Sequence, residues 1–305
     1  MTHAWLPFDA VELGGLPAGM TADRYEGGAE PPGIERVEVY VPPYMAPEHT
    51  LAVMARMPAL RVVQTLTAGV DNVWPHLPAG ALLCNARGVH DASTAELVVG
   101  LVIASLRRIP EFVRAQESGT WAYGRYDALA DKRVLIVGYG SVGEAIERRL
   151  AGFEVEVVRV ARSRRPGPPA VEGFDRLHDL LPDADVVVLI CPLTAETRGL
   201  VDAAFLARMR DGALLVNAAR GPVVVTADLL AELQSGRLRA ALDVTDPEPL
   251  PADHPLWRAP NALISPHVGG NTTAFLPRAR RLVAEQLARL AAGGEPLNVV
   301  PRPLG

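Results

Sequence analysis

Between residues 133 and 266 the chain alternates short runs of apolar, largely β-branched residues with longer segments whose apolar positions recur at helical spacing. The runs are "RVLIV", "VEVVRV", "DVVVLI", "ALLVN", "AALDV" and "ALISP". Strands separated by helices are joined by right-handed crossovers, so the pattern predicts a doubly wound parallel sheet with helices on both faces. Residues 1 to about 92 repeat the theme less clearly, with "VEVYV", "LRVVQTL" and "ALLCN" as strand candidates between Pro- and Gly-rich loops. A smaller α/β domain is expected there. Two long helical patterns join the regions. "STAELVVGLVIASLRRIPEFVRAQES" predicts one helix from about Ser93, capped by Ser93 or Thr94, and "TTAFLPRARRLVAEQLARLAAGG" predicts another that ends at Gly293.

Composition narrows the function classes. With 305 residues, 49% of them apolar, the chain is long enough for two cores. A net charge of −5 gives no broad basic field, so neither nucleic acid nor an anionic membrane is an expected partner. Cys84 and Cys191, the only cysteines, lack metal-ligand spacing; no metal site is expected, and a reducing, cytoplasmic location is. The start "MTHAWLPFDAVELGG" has no secretory pattern, and "LVVGLVIASL" is too short to span a bilayer. Lys132 is the only lysine. Phosphate-loop and Schiff-base lysine chemistries, and the Tyr/Lys pair of short-chain dehydrogenases, therefore fall away unless Lys132, at the mouth of a predicted strand, serves.

"VLIVGYGSVGEAIERRL" sets Gly138, Gly140 and Gly143 in G-x-G-x-x-G spacing after a strand pattern and at the opening of a helix. Such a loop turns tightly, lets a pyrophosphate approach the backbone and packs helix on strand, with Ser141 and Val142 in the helix start. About 20 residues on, NAD-binding versions carry an acid for the ribose 2′-hydroxyl. Here Ala161 is followed by Arg162, Ser163, Arg164 and Arg165. Guanidinium forks and a hydroxyl suit a 2′-phosphate, so NADP(H) is the expected cofactor, with NAD(H) possible and a merely solvated arginine loop the alternative.

Three further stretches follow predicted strand ends, where ligands bind in open α/β sheets: "NAARG", "LDVTDPEPL" and "SPHVGG", carrying Arg220, Asp243, Glu248 and His267. With "DVVVLICPLTAETRGLV", "NALISPHVGGNTT" and, earlier, "TLTAGVDNV", the chain resembles the D-isomer-specific 2-hydroxyacid dehydrogenase family, and glyoxylate/hydroxypyruvate reductase-like members most. The resemblance covers nearly the whole chain and fades over residues 1 to 50. It implies an α/β protein with a Rossmann-type cofactor domain (93–270) and a flavodoxin-like, discontinuous substrate domain (1–92 and 271–305), with a cleft between them.

What the resemblance implies about residues is specific. His267 is the general acid/base, Glu248 its partner, and Arg220 the group that binds the substrate carboxylate and polarises the keto oxygen. Hydride arriving at the carbonyl carbon makes an alkoxide, which calls for a proton donor and a fixed positive charge. A carboxylate beside an imidazole favours its protonated form. The backbone of Ala68, Gly69 and Val70 holds the substrate carboxylate; Asp243 meets the nicotinamide carboxamide; Cys191, Pro192, Thr197, Ala218, Ala219 and Gly269 line the cofactor channel. Tyr44 and Met45 are candidates for the substrate side chain. His90 and Asp91 are open to a substrate contact or, for Asp91, a helix cap, and His254 reads as structural. "ESGTWAYGRYDAL", with Trp121, Tyr123 and Tyr126, is either a homodimer arm or locally packed.

The expectation is an NADPH-preferring reductase of a small 2-keto acid such as glyoxylate or hydroxypyruvate, giving the D-2-hydroxy acid. Two alternatives stay open: an NAD-linked dehydrogenase of a bulkier or phosphorylated hydroxy acid, and a non-catalytic, dinucleotide-sensing interaction protein on the same fold.

Overall fold

The computed structural model describes residues 1–302, which form two compact units: Met1–His90 together with the chain from Thr273, and Asp91–Thr272. Residues 303–305, which the sequence reading includes in the discontinuous domain, lie outside the described residues.

The first unit carries β1 (Thr2–Leu6), β2 (Met20–Arg24), β3 (Val37–Tyr40), a short helix α1 (Glu48–Ala52), β4 (Val62–Gln64) and β5 (Leu82–Cys84). Its sheet runs β2-β1-β3-β4-β5 with every neighbour parallel, the flavodoxin-like order. Alternate side chains of one strand enter different cores. Ala4, Leu6 and Val62 pack on one face, while Trp5 and Val63 pack on the other with Leu51, Met54 and Val73. Burial on both faces is why β1 shows no hydrophobic alternation to read in the sequence. β2, "MTADR", buries only Met20 and gives no apolar run.

The second unit runs α2 (Asp91–Leu106), α3 (Ile109–Glu117), β6 (Arg133–Val137), α4 (Ser141–Leu150), β7 (Glu156–Ala161), β8 (Glu172–Gly173), α5 (Leu177–Leu180), β9 (Val186–Leu189), α6 (Ala203–Arg208), β10 (Leu214–Asn217), α7 (Thr226–Gln234), β11 (Arg239–Leu242) and β12 (Ala262–Ile264). Its parallel sheet is ordered β12-β11-β10-β9-β6-β7-β8. The six expected strands are present, and β8, two residues on the edge beyond the arginine loop, is an addition the sequence did not predict. Leu135, Val137, Val187 and Leu189 face one core, and Val134, Ile136, Val186 and Val188 the other.

Two expectations need correction. The single helix from Ser93 is two: it starts at Asp91 and breaks at Arg108, which has φ 53°. Pro110 enforces the break, since inside a continuous helix it has no N–H for the Leu106 carbonyl and its ring meets that carbonyl. Ser93 and Thr94 therefore sit within the first turn rather than at the cap, and Ser93 hydrogen-bonds the Thr272 hydroxyl at 2.7 Å. Lys132 is followed directly by β6, so it lies at the amino edge of the sheet, paired with Asp185 at 3.5 Å and at the opposite end of the strand from the glycine loop. It takes no part in the chemistry considered below.

The last helix, α8 (Phe275–Ala291), belongs to the first unit. Pro277 falls in its first turn, where a missing N–H costs nothing, and Phe275, Ala279, Val283 and Leu287 reach the core beside Ala4 and Leu6. Gly293, at φ 73°, closes its C-terminal end. Among the described residues no helix is long and apolar enough to cross a membrane.

Candidate active site

Because all seven strands of the second sheet are parallel, the loops that follow them share one edge. The order reverses between β6 and β9, whose connections leave in opposite directions, and such a switch point opens a crevice at the carboxyl edge. The glycine loop sits there. Gly138 has φ 108°, and a Cβ on it would lie 2.4 Å from the Cys191 backbone nitrogen, so only glycine lets the two strand ends approach. A Cβ on Gly143 would lie 3.1 Å from the Gly138 carbonyl, a tighter approach than side chains usually make but a milder conflict than at Gly138. Gly140 differs: nothing lies within 4 Å of where its side chain would be. It precedes α4, whose first amides, at Ser141, Val142 and Gly143, receive no side-chain cap. An open backbone face beside uncapped helix amides fits a pyrophosphate.

The arginines in and just after β7 separate into two groups. Arg159, in the strand, pairs with Glu147 and holds that carboxyl below the usual carboxylate range; Tyr139 donates its hydroxyl to the same acid. Arg165 donates to the Tyr139 carbonyl at 2.5 Å and lies 5.6 Å from that ring's centre, so it braces the glycine loop. Arg162, Ser163 and Arg164 are exposed. Arg164 has only a loose pairing with Glu172 at 3.7 Å, and Arg162 lies within electrostatic reach of Glu196, whose carboxyl the Thr194 hydroxyl chiefly holds down. Two guanidinium groups and a hydroxyl at the end of β7 fit an added phosphate.

Beyond β9, Cys191 is buried and its thiol is pushed up to about 11 by that burial, which suits a wall and not a nucleophile. Thr197 is turned into its own loop, donating to the Pro192 carbonyl at 2.6 Å and accepting from the Thr194 amide. Beyond β10, Asn217 shapes the Arg220 turn: its side chain accepts from the Ala219 amide and donates to the Arg220 carbonyl, each at 3.0 Å, while Ala218 donates to the Leu189 carbonyl. Gly221 follows because a Cβ there would overlap the Thr245 carbonyl.

His267 and Glu248 meet. The imidazole Nδ1 lies 2.5 Å from a Glu248 carboxylate oxygen, with both side chains partly exposed at 29% and 38%. A carboxylate only accepts, so Nδ1 carries a proton and Nε2 is left as the atom for other chemistry. His267 has φ 53°, and its loop is held by Asp243: Ser265 and the Val268 amide donate to one carboxylate oxygen and the Gly269 amide to the other. Asp243 is 3% exposed and its carboxylate serves its own loop. A Cβ on Gly269 would lie 2.9 Å from that carboxylate. His254 accepts from the Leu256 amide and caps the turn 255–258.

In the first unit, Ala68 and Gly69 are half-buried and Val70 is buried in the turn after β4. His90 donates from Nε2 to the Leu66 carbonyl at 2.7 Å and stacks on Phe275, with Tyr44 against the same ring at 4.2 Å. Tyr44 is thus packed locally, whereas Met45, at φ 51°, is exposed. In the segment after α3, Tyr126 packs edge-on against Phe112, but Trp121 and Tyr123 are 92% and 91% exposed. Asn217, Ser265, Asn85 and Tyr139 also shape these loops and are not among the residues the motifs single out. All four stand within quoted stretches, Asn217 in "NAARG", Ser265 in "SPHVGG", Asn85 at the end of "ALLCN" and Tyr139 in the glycine loop, and that position is the one signal the sequence carries for them. Among the described residues no group of three or more His, Cys, Asp or Glu is arranged to hold a metal.

Residues 99–269 match the family described as "D-isomer specific 2-hydroxyacid dehydrogenase, NAD binding domain". A glyoxylate reductase/hydroxypyruvate reductase of Mus musculus is 37% identical over 233 residues, covering 70% of this chain and 68% of that one. A D-isomer specific 2-hydroxyacid dehydrogenase of Xanthobacter autotrophicus Py2, solved in complex with NADPH and MES, superposes with a TM-score of 0.84 at 30% identity, covering 98% of each chain. An NADPH-dependent glyoxylate/hydroxypyruvate reductase of Sinorhizobium meliloti, solved with NADP and sulfate, gives 0.85 at 27% identity over 98% of each.

Proposed function

Because the chain belongs to the D-isomer specific 2-hydroxyacid dehydrogenase family and is an NAD(P)-dependent oxidoreductase, we propose that it reduces small 2-keto acids such as glyoxylate or hydroxypyruvate with NADPH. The observation that carries the reading is the 2.5 Å pair of Glu248 and His267, on loops at the same sheet edge as the glycine turn. The names of the mouse and Sinorhizobium relatives support the substrate class.

The bound nicotinamide supplies the hydride. His267 delivers a proton from Nε2 to the keto oxygen as charge develops there, and Glu248 at Nδ1 stabilises the imidazolium and fixes its plane. Arg220 binds the substrate carboxylate and polarises the carbonyl through its planar fork. The amides of Ala68, Gly69 and Val70 also hold the carboxylate. Gly140 and the first amides of α4 take the pyrophosphate, and Arg162, Ser163 and Arg164 the 2′-phosphate. Cys191, Pro192, Thr197, Ala218 and Ala219 form walls of the cofactor site, and Asp243 and Gly269 support the His267 loop beside it. The exposed rings of Trp121 and Tyr123 support a homodimer formed through that segment.

Initial rates of NADPH and NADH oxidation with glyoxylate, hydroxypyruvate and a bulkier 2-keto acid test the proposal. A higher kcat/KM with NADPH and the small acids is expected. An NADH preference removes the phosphate assignment, and preference for the bulkier acid removes the substrate assignment.

A further inference from the structure

In the turn after β4 three successive carbonyls are hydrogen-bonded, and the amides that follow them are left without an acceptor. In a trans peptide the N–H of each residue points opposite to the carbonyl before it, so fixing a carbonyl fixes the next amide. The Thr67 carbonyl accepts from the Thr65 hydroxyl at 2.8 Å and the Ala86 amide at 2.9 Å. The Ala68 carbonyl accepts from the Asn85 side-chain amide at 2.8 Å, and the Gly69 carbonyl from the Thr67 hydroxyl at 2.8 Å. The amides these bonds orient are those of Ala68, Gly69 and Val70. Among the described residues none of the three finds an acceptor.

Two of the three carbonyls are bound by threonine hydroxyls from the turn itself. Asn85 is the side chain that reaches in from another strand end, just past β5, and it is rigidly held. Its Oδ1 accepts from the Arg87 amide at 3.2 Å, and its backbone N–H donates to the Asn298 carbonyl at 3.1 Å. Its own carbonyl accepts from the side chains of Gln64 and Asn298, and Gln64 is tied in turn to the fully buried Gln286. The network fixes the side-chain amide so that its nitrogen, and not its oxygen, faces the Ala68 carbonyl.

We infer that Asn85 is a positioning residue for substrate: by holding the Ala68 carbonyl inward it aims the Gly69 amide, the middle of the three, at the carboxylate of the 2-keto acid. This rests on the carboxylate assignment proposed above. In this role Asn85 acts through the turn backbone and not by contact with substrate or cofactor. Its effect is confined to the affinity for a carboxylate, whereas a merely structural role would move stability and cofactor binding together.

The test uses Asn85→Asp, nearly the same shape but with an oxygen in place of the donor, and Asn85→Ser, whose hydroxyl is too short to bridge the gap. Binding of oxamate to the NADPH-saturated protein is measured by calorimetry, alongside KM for glyoxylate, Kd for NADPH and the melting midpoint. For either variant that stays folded, the expected result is a rise of about tenfold in oxamate Kd and glyoxylate KM, with NADPH Kd within about twofold of the parent. Unchanged oxamate affinity, or equal losses for oxamate and NADPH, overturns the inference while leaving the reductase reading intact if the parent turns over keto acids. A parent protein that neither binds oxamate nor turns over any keto acid overturns both.

Discussion

Asp243 and His267 are joined through backbone and side chain at once. The His267 amide donates to the Asp243 carbonyl at 2.8 Å, and the Asp243 carboxylate gathers the Ser265 hydroxyl at 2.6 Å and the amides of Val268 and Gly269 at 3.0 and 2.9 Å. The imidazole is therefore carried, in the loop after β12, by a left-handed residue whose two flanks are clamped by one buried acid. Asp243→Asn replaces an acceptor-only group with one that must present a donor to some of these partners. Loss of a charge-assisted bond costs about 2–3 kcal/mol, so the melting midpoint falls by several degrees and kcat drops about tenfold as the His267 loop loosens. Thermal unfolding and steady-state kinetics check this. A variant of unchanged stability that has lost only NADPH affinity would instead place Asp243 as a cofactor contact.

The His267 and Glu248 roles separate by variant. His267→Gln keeps polarity without a titrating proton and is expected to lower kcat by about 10²–10⁴-fold with NADPH binding retained. Glu248→Gln keeps the hydrogen bond but removes the charge beside Nδ1, and a loss of about 10²-fold in kcat is expected. Single-turnover measurements with bound NADPH read the chemical step directly. Equal activity of the parent and His267→Gln would remove His267 from the proton transfer.

The arginine loop divides by what each side chain touches. Arg162 and Arg164 face solvent with loose acidic neighbours, so the double variant Arg162→Ala/Arg164→Ala should lose about 10–100-fold in kcat/KM for NADPH and change less than about threefold with NADH. Arg165 holds the Tyr139 carbonyl of the glycine loop. Arg165→Ala should therefore weaken both cofactors together, by a few-fold. The ratio of the two kcat/KM values is the deciding measurement; a fall confined to NADPH in Arg165→Ala would reassign that residue to the phosphate.

This division shows where the sequence was legible. Runs such as "RVLIV" and "DVVVLI" announce central parallel strands because burial on both faces demands unbroken apolar residues, and glycine spacing announces the phosphate loop because a turn with φ 108° against Cys191 tolerates nothing else. "MTADR" announces nothing, since an edge strand with one buried residue has no pattern. Four arginines look alike in the sequence. Only the fold shows that Arg159 holds Glu147 and Arg165 the Tyr139 carbonyl while Arg162 and Arg164 have only loose acidic neighbours. The same holds for Asp243 and Asn85, whose partners are supplied by loops far away in the chain.

The two thiols give a prediction in pH. Burial pushes Cys84 and Cys191 each up to about 11, against about 8.5 in an unfolded chain. Below about pH 8.5 both states keep their thiol protons and stability is at its full value. Between about 9 and 11 the unfolded chain releases protons that the folded chain retains, so stability falls as pH rises. A Cys84→Ala/Cys191→Ala variant should show a shallower decline of melting midpoint over that window. At pH 8 neither thiol should react with a disulfide reagent until denaturant is added, and rapid labelling of the native protein would contradict the burial that raises them.

The last prediction concerns assembly. Trp121 and Tyr123 are the most exposed rings in the second unit, while Tyr126, three residues on, is pinned by Phe112 and by its hydroxyl bond to the Ala122 carbonyl. Tyr126 thus fixes the segment locally without covering the two rings. Aromatic side chains left bare on an ordered segment are enriched at subunit contacts, where they supply much of the binding energy. Sedimentation equilibrium should find a dimer for the parent chain, and Trp121→Ser/Tyr123→Ser should raise its dissociation constant by about 10²-fold or more. Neither ring supports its own unit's core, so the variant's melting midpoint at high protein concentration should change little. A parent that sediments as a monomer at every concentration would leave those rings without a partner copy.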